Sequence, residues 1–251
     1  MSPGPKIRVG IGGWVYPPWR GVFYPRGLPQ ARELAHASRQ VTAIEINGTF
    51  YGAQKPASFR RWHDETPEDF VFSLKGPRFA THRSDLAAAG PSVERFFASG
   101  VLELRDKLGP VLWQFAPWMA FDEAAFAAFL ELLPHRLDGR AIRHVVEVRH
   151  QSFASASFMD LLCRHKVAVA LVDDDKYQAF GEITGDFVYA RLRRCVADEP
   201  AGYPPGALVS WAERFRRQSA EGVCDCFIYF INGAKVRAPA AAQALLQRLT
   251  S

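Results

Sequence analysis

Several signatures that quickly decide function in other chains are missing from this one. It has four cysteines, Cys163, Cys195, Cys224 and Cys226, and no two of them have the C-x-x-C spacing of a zinc site or a dithiol redox centre. They read as buried or reduced thiols of a cytoplasmic protein. No apolar run approaches the roughly 20 residues that a membrane span needs. The start, Met1-Ser-Pro-Gly-Pro-Lys6, has no apolar core of the kind a secretion signal carries. There is no G-x-S-x-G elbow, no phosphate-binding Walker loop, no H-E-x-x-H and no calcium loop, so the enzyme classes marked by those motifs drop out. Gly10-x-Gly12-Gly13 starts like a dinucleotide fingerprint, but Val15 stands where the last glycine belongs, and the cofactor stays unassigned. Neither sign of charge dominates: 31 Lys and Arg against 26 Asp and Glu give a formal +5. That permits acidic ligands or weak nucleic-acid attraction without indicating either.

What is present is a repeated alternation. Short apolar runs recur at Ile7–Ile11, Val41–Ile46, Phe70–Lys75, Pro110–Phe115, His144–Arg149, Val167–Val172, Phe187–Leu192 and Cys226–Ile231. Between them lie segments with helical spacing, clearest at Gln30–Arg39, Ser92–Lys107, Glu123–Leu133, Ala156–His165, Val209–Glu221 and Ala240–Leu249. The helix signal between Asp173 and Asp186 is the weakest, where Asp174-Asp-Lys-Tyr177 leaves only a turn. Eight such alternations in 251 residues, with no linker or low-complexity tract, predict one α/β domain over residues 1–251, a TIM-type (β/α)8 barrel.

The strand ends are polar. In Val41-Thr-Ala-Ile-Glu-Ile-Asn47, Glu45 and Asn47 share one face while Ile44 and Ile46 share the other. The same parity can be drawn for Lys75, Gln114, Glu147 with Arg149, Asp173, Arg191 with Arg193, and Asn232. Polar groups gathered at strand C-termini are where barrel enzymes place their chemistry; the competing reading is a plug of mutually paired charges, with Glu147 and Arg149 as one pair. The first loop, Gly12 to Pro25, adds Trp14 and Tyr16 as flat ligand contacts, while Phe23 and Tyr24 read as loop packing. The third loop adds Arg78 and His82.

These residues suggest an enzyme acting on a small anion, phosphorylated or carboxylated. Lys75, Arg149 and Arg191 would hold the anion. Glu147 or Glu45 would act as general base, with Glu45 the freer of the two, and His82 as acid or base. Lys75 would be either a Schiff-base lysine or a fixed cation. A metal-dependent phosphodiesterase or nuclease using Glu45, Glu147, Asp173 and His82 is the alternative, although cations on the same rim compete with a divalent ion, and no metal is assigned. A non-catalytic binding protein using the same mouth is the third reading.

The motifs Ile11-Gly-Gly-Trp14, Trp19-Arg-Gly-Val-Phe-Tyr-Pro25, Glu45-Ile-Asn-Gly-Thr-Phe-Tyr51, Leu108-Gly-Pro-Val-Leu-Trp-Gln114, Glu147-Val-Arg-His150, Tyr189-Ala-Arg191 and Tyr229-Phe-Ile-Asn232 resemble the YecE-like family, the domain of unknown function numbered seventy-two. The resemblance runs nearly end to end and implies a TIM-type barrel, without implying a reaction. Two departures stand out. Arg191-Leu-Arg193-Arg194 replaces the family's usual Arg-x-His-Gly, and Asn232-Gly-Ala-Lys235 replaces a double asparagine, each adding positive charge near the mouth.

Overall fold

The structure, a computed structural model, describes residues 6–177, 179–220 and 225–250. Cys224 and Glu221, the expected end of the helix from Val209, lie outside the described residues. Eight strands pair in parallel: β1 (Ile7–Gly12), β2 (Ala43–Ile46), β3 (Val71–Lys75), β4 (Leu108–Gln114), β5 (His144–Glu147), β6 (Ala168–Asp173), β7 (Phe187–Leu192) and β8 (Asp225–Phe230). Each bonds to its sequence neighbours and β8 bonds to β1, which closes a TIM-type barrel and leaves no open edge. All eight lie within two residues of the expected runs. Apolar runs form them because each strand meets the barrel interior on one face and the helix layer on the other. Closure also needs Gly10: a Cβ there would come within 1.9 Å of the Ala43 carbonyl oxygen on β2.

Outside the strands lie α1 (Glu33–Ala37), α2 (Pro56–Glu65), α3 (Gly90–Ala98), α4 (Glu123–Glu131), α5 (Ala156–Arg164), α6 (Pro205–Ala220) and α7 (Ala238–Thr250). Two helices have side-chain caps: Asp122 accepts from the Ala125 N–H at 2.8 Å before α4, and Ser155 accepts from the Phe158 N–H at 3.3 Å before α5. The expected helix Ser92–Lys107 is split, because Gly100 takes a φ of +101° after α3 and tighter turns follow. The outward face of β4 shows how the layers join. Trp113 packs edge-on against Phe96 of α3 and Phe129 of α4, and its indole N–H donates to His144 Nδ1 at 3.1 Å. Burial pushes the His144 imidazole down to about 4, so it stays neutral with Nε2–H facing the Pro134 carbonyl at 2.9 Å.

Among the described residues no helix stands between β6 and β7, where the sequence signal is weakest. Residues 174–177 turn over the strand ends instead. Further along, Phe180 packs against Phe158 of α5, and the Thr184 hydroxyl accepts from the Val169 N–H at 3.0 Å while donating to the Val167 carbonyl at 2.7 Å. Thr184 thereby satisfies backbone groups at the start of β6.

Candidate functional site

Strands β2, β5 and β7 are not neighbours, so any contact among them crosses the barrel interior. Arg191 on β7 makes two such contacts. Its Nε and Nη2 donate to Oε2 and Oε1 of Glu45, each at 3.0 Å, and its Nη1 donates to Oε2 of Glu147. Tyr189 donates its hydroxyl to Glu45 Oε2 at 2.7 Å. Glu147 Oε1 accepts from Gln114 Nε2 at 2.8 Å and Arg149 Nε at 2.9 Å. Glu45, Glu147 and Arg191 are all 2% exposed or less, and every carboxylate oxygen has a donor. Burial alone would raise the Glu147 carboxyl, but Arg191 and then Arg149 more than reverse it and hold it at about 2. Burial likewise opposes the Arg191 charge, and Glu147 and Glu45 more than restore it.

The expected plug of paired charges is therefore present, and an open cavity lies above it. Glu45, Glu147, Arg191, Gln114 and Tyr189 form a satisfied polar floor. This corrects the expectation that Glu45 is the freer base: it is buried and committed to Arg191 and Tyr189. It also corrects the expected free grip of Arg191, whose charge is shared between two carboxylates.

Above the floor opens a cavity of about 680 Å³ at the C-terminal end of the strands. Its wall carries five cations, Lys75, Arg149, Arg191, Arg193 and Lys235, and no carboxylate. Asn47 and Asn232 supply amides, and Trp14 lines one side, braced edge-on by Trp62 at 5.3 Å and Phe72 at 6.3 Å. Three of the cations are matched from behind: Arg191 by Glu45 and Glu147, Arg149 by Glu147, and Arg193 by Asp174 at 2.8 Å. With the Asn232 amide oxygen turned toward it, Arg193 Nη2 also donates there at 2.9 Å. The two lysines have no carboxylate partner among the described residues. Lys75 is 6% exposed, with its ammonium 3.9 Å above the Phe50 ring. Burial, followed by the nearby Arg191 charge, pulls its amine down to about 8. Lys235 lies over Tyr16 at 4.9 Å and Trp19 at 5.6 Å, and burial lowers its amine as well.

Of the sequence candidates, Trp14, Asn47, Lys75, Gln114, Arg149, Arg191 and Asn232 line the cavity, and Glu45 and Glu147 lie beneath it. Four stand apart. Asp173 is out of phase: Val172 is level with Arg191, so Asp173 goes with Leu192 to the outer face. There it accepts from the Tyr203 hydroxyl at 2.7 Å and pairs with Arg194 at 3.7 Å. Tyr16 packs on Trp19 and meets the site only through Lys235. Arg78 is exposed beside Phe79. His82 sits against Phe50 at 5.3 Å, hydrogen-bonded to Thr81 Oγ1 at 3.1 Å, and is kept uncharged by burial and then by Lys75. The four residues of the expected metal set do not converge, and no group of three His, Cys, Asp or Glu does so among the described residues.

Sequence reasoning assigned no ligand role to Arg193, Lys235 or Trp62. Arg193 carried a readable signal, two residues beyond Arg191 on the same parity. Trp62 did not: it comes from α2, whose buried side chains are only Phe59 and Trp62, too thin a stripe to announce a helix. Of the described cysteines, Cys195 and Cys226 are buried, whereas Cys163 is an exposed thiol. No described helix is long and apolar enough to cross a membrane.

The family described as "Protein of unknown function DUF72" matches residues 8–251. The UPF0759 protein YecE of Escherichia coli is 29% identical over 149 residues, 59% of this chain and 50% of that protein. The UPF0759 protein YunF of Bacillus subtilis is 28% identical over 160 residues, 61% of this chain and 54% of that protein. The chain thus spans about half the length of the curated relatives it matches. The crystal structure of a DUF72 family protein from Thermotoga maritima superposes with a TM-score of 0.78 at 22% identity, covering 98% of this chain and all of that one.

Proposed function

The chain belongs to the DUF72 family of proteins of unknown function, and from that premise we propose that its barrel mouth binds a small phosphorylated or carboxylated anion and that the protein is an enzyme acting on it. One observation carries this reading: a cavity wall that, among the described residues, has five cations and no carboxylate, and in which Lys75 and Lys235 have no carboxylate partner. Charges without partners in a partly buried site favour a ligand that supplies the opposite sign. The amides of Asn47 and Asn232 would orient it, and Trp14 would cover an apolar face. With Cys163 and Cys195 as free thiols, the reducing cytoplasm suits the protein, and the ligand would be a metabolite of that compartment.

A second reading keeps the same mouth and changes the size of the ligand. Tyr51, Phe79 and Trp118, on the loops after β2, β3 and β4, are 71%, 66% and 61% exposed. Tyr51 lines the basic cavity, and exposed rings on these three successive segments suit stacked bases of a single strand.

Thermal unfolding with a panel of sugar phosphates, 2-oxo acids, other carboxylates, nucleotides and a short single-stranded oligonucleotide, at constant ionic strength, tests both. A ligand at 100 times its Kd stabilises by about 2.7 kcal/mol, or roughly 5–10 °C for a domain of this size. One small anion should give that shift in the wild type and lose most of it in Lys235→Gln. A shift from the oligonucleotide alone would favour the second reading. A shift that sodium chloride reproduces would overturn both.

A further inference from the structure

We propose that Lys75 is a nucleophilic amine that forms an iminium with the carbonyl group of an anionic aldehyde or 2-oxo acid held in the mouth. The inference rests on the anion-binding reading above and narrows its substrate class. It starts from a contrast between two lysines of the same chain, both almost fully buried. Lys107 is 4% exposed, and its amine donates to the carbonyl oxygens of His63 and Thr66 and to the Thr66 hydroxyl. That is how a buried ammonium is normally retained: its protons are taken up by acceptors. Lys75 is 6% exposed, and its amine has no hydrogen-bond acceptor and no carboxylate among the described residues.

The carboxylates that would ordinarily neutralise it, Glu45 and Glu147, are turned to Arg191. What Lys75 meets instead is the face of Phe50 below and the open cavity beside it. Burial and the Arg191 charge bring its amine to about 8. At neutral pH roughly one amine in ten is then uncharged, against about one in a thousand or fewer for an ordinary lysine.

The remaining wall divides the labour. Lys235, the other cation of the wall without a carboxylate partner among the described residues, is left to hold the anionic group, so Lys75 is free for covalent chemistry. The ammonium releases a proton to water, and the amine nitrogen forms a bond to the carbonyl carbon. The carbonyl π pair moves to oxygen, which takes up a proton while the nitrogen gives one up, and the neutral carbinolamine results. Expulsion of that hydroxyl, protonated, as water leaves the iminium. The sum is ammonium plus carbonyl giving iminium plus water, with charge conserved. The iminium keeps the positive charge of the ammonium it replaces, so the Phe50 face at 3.9 Å serves both.

The test uses the whole protein with glyoxylate and with glyceraldehyde 3-phosphate, each reduced in place by cyanoborohydride and mapped by peptide mass spectrometry. Glycolate and glycerol 3-phosphate, which carry the same anions without a carbonyl, report binding alone through thermal shift. With at least one carbonyl probe, Lys75 should be modified at least tenfold faster than any other lysine, and its carbonyl-free counterpart should slow that labelling. Lys75→Arg should keep the counterpart's thermal shift and lose the selective adduct. If a counterpart shifts the melting temperature while Lys75 reacts no faster than other lysines with both probes, the nucleophile is overturned and the anion site stands. If Lys75 is labelled selectively but neither counterpart binds or competes, the anion reading fails and the reactive amine stands.

Discussion

Arg191 and Glu45 meet at two points across the barrel interior, Nε to Oε2 and Nη2 to Oε1, both 3.0 Å. The remaining guanidinium nitrogen reaches Glu147, so one side chain from β7 ties together β2 and β5. None of the three strands is paired with another in the sheet, and the side-chain pairs act as spokes. The floor of the mouth is therefore part of what holds the barrel in register.

Removing Arg191 should accordingly harm the fold before it harms any chemistry. Arg191→Met leaves Glu45 buried with only Tyr189 and Glu147 with Gln114 and Arg149. Breaking a buried pair from one side costs roughly 3–5 kcal/mol, a fall of roughly 6–20 °C in Tm at this size. Calorimetry of the variant checks it; a Tm within about 2 °C of wild type would mean the spokes carry no load.

Glu147 makes the stability depend on acid. Its carboxyl lies at about 2 in the folded protein, against 4.5 for an unperturbed glutamate. A folded value below the unfolded one contributes stability that is complete above about pH 4.5 and is lost as pH falls toward 2. Urea unfolding at pH 5 and pH 3 should show wild type losing more stability than Glu147→Gln over that interval. Equal losses would show that other carboxylates govern acid unfolding.

Lys75 has the opposite sign. Its folded value near 8 lies below 10.5, so the ammonium opposes folding at pH 7, and stability recovers as pH rises from 8 toward 10.5. The charged groups acting on it are Arg191, Glu45, Glu147 and Arg149. Lys75→Met should therefore stabilise the protein at pH 7, on the order of 1–3 kcal/mol, and by less at pH 10. Chemical denaturation of both proteins at the two pH values decides it. A destabilised variant at pH 7 would assign Lys75 a structural role.

Much of this was legible in the sequence because strand parity is a two-residue rule. Glu45 and Asn47 opposite Ile44 and Ile46 predicted the inward face of β2 correctly, and the same rule found Lys75, Gln114, Glu147 and Arg191. Parity fails where the phase is ambiguous. β6 is apolar on both faces, so nothing in its side chains says that Val172 rather than Asp173 is level with Arg191. The pairing of charges was hidden for a different reason. Which carboxylate an arginine takes depends on distances across the barrel, and Glu45 and Arg191 are 146 positions apart in the chain. Helices were legible where a full apolar stripe faces the strands, and illegible at α2, which buries two side chains.

The turn that stands after β6 where no helix is found among the described residues bears on how the mouth of such a barrel changes over generations. The chain that would have climbed into a helix turns across the rim, and places Tyr177 5.0 Å from the Arg149 guanidinium and 5.9 Å from that of Arg193. Asp174, in the same turn, holds Arg193. Two arginines of the cavity wall are thus braced by residues that belong to neither the strand layer nor the helix layer. Substitutions there alter the mouth without disturbing the packing between those layers. Selection can therefore rework this corner of the site while the spokes beneath it, which brace the whole barrel, are held fixed.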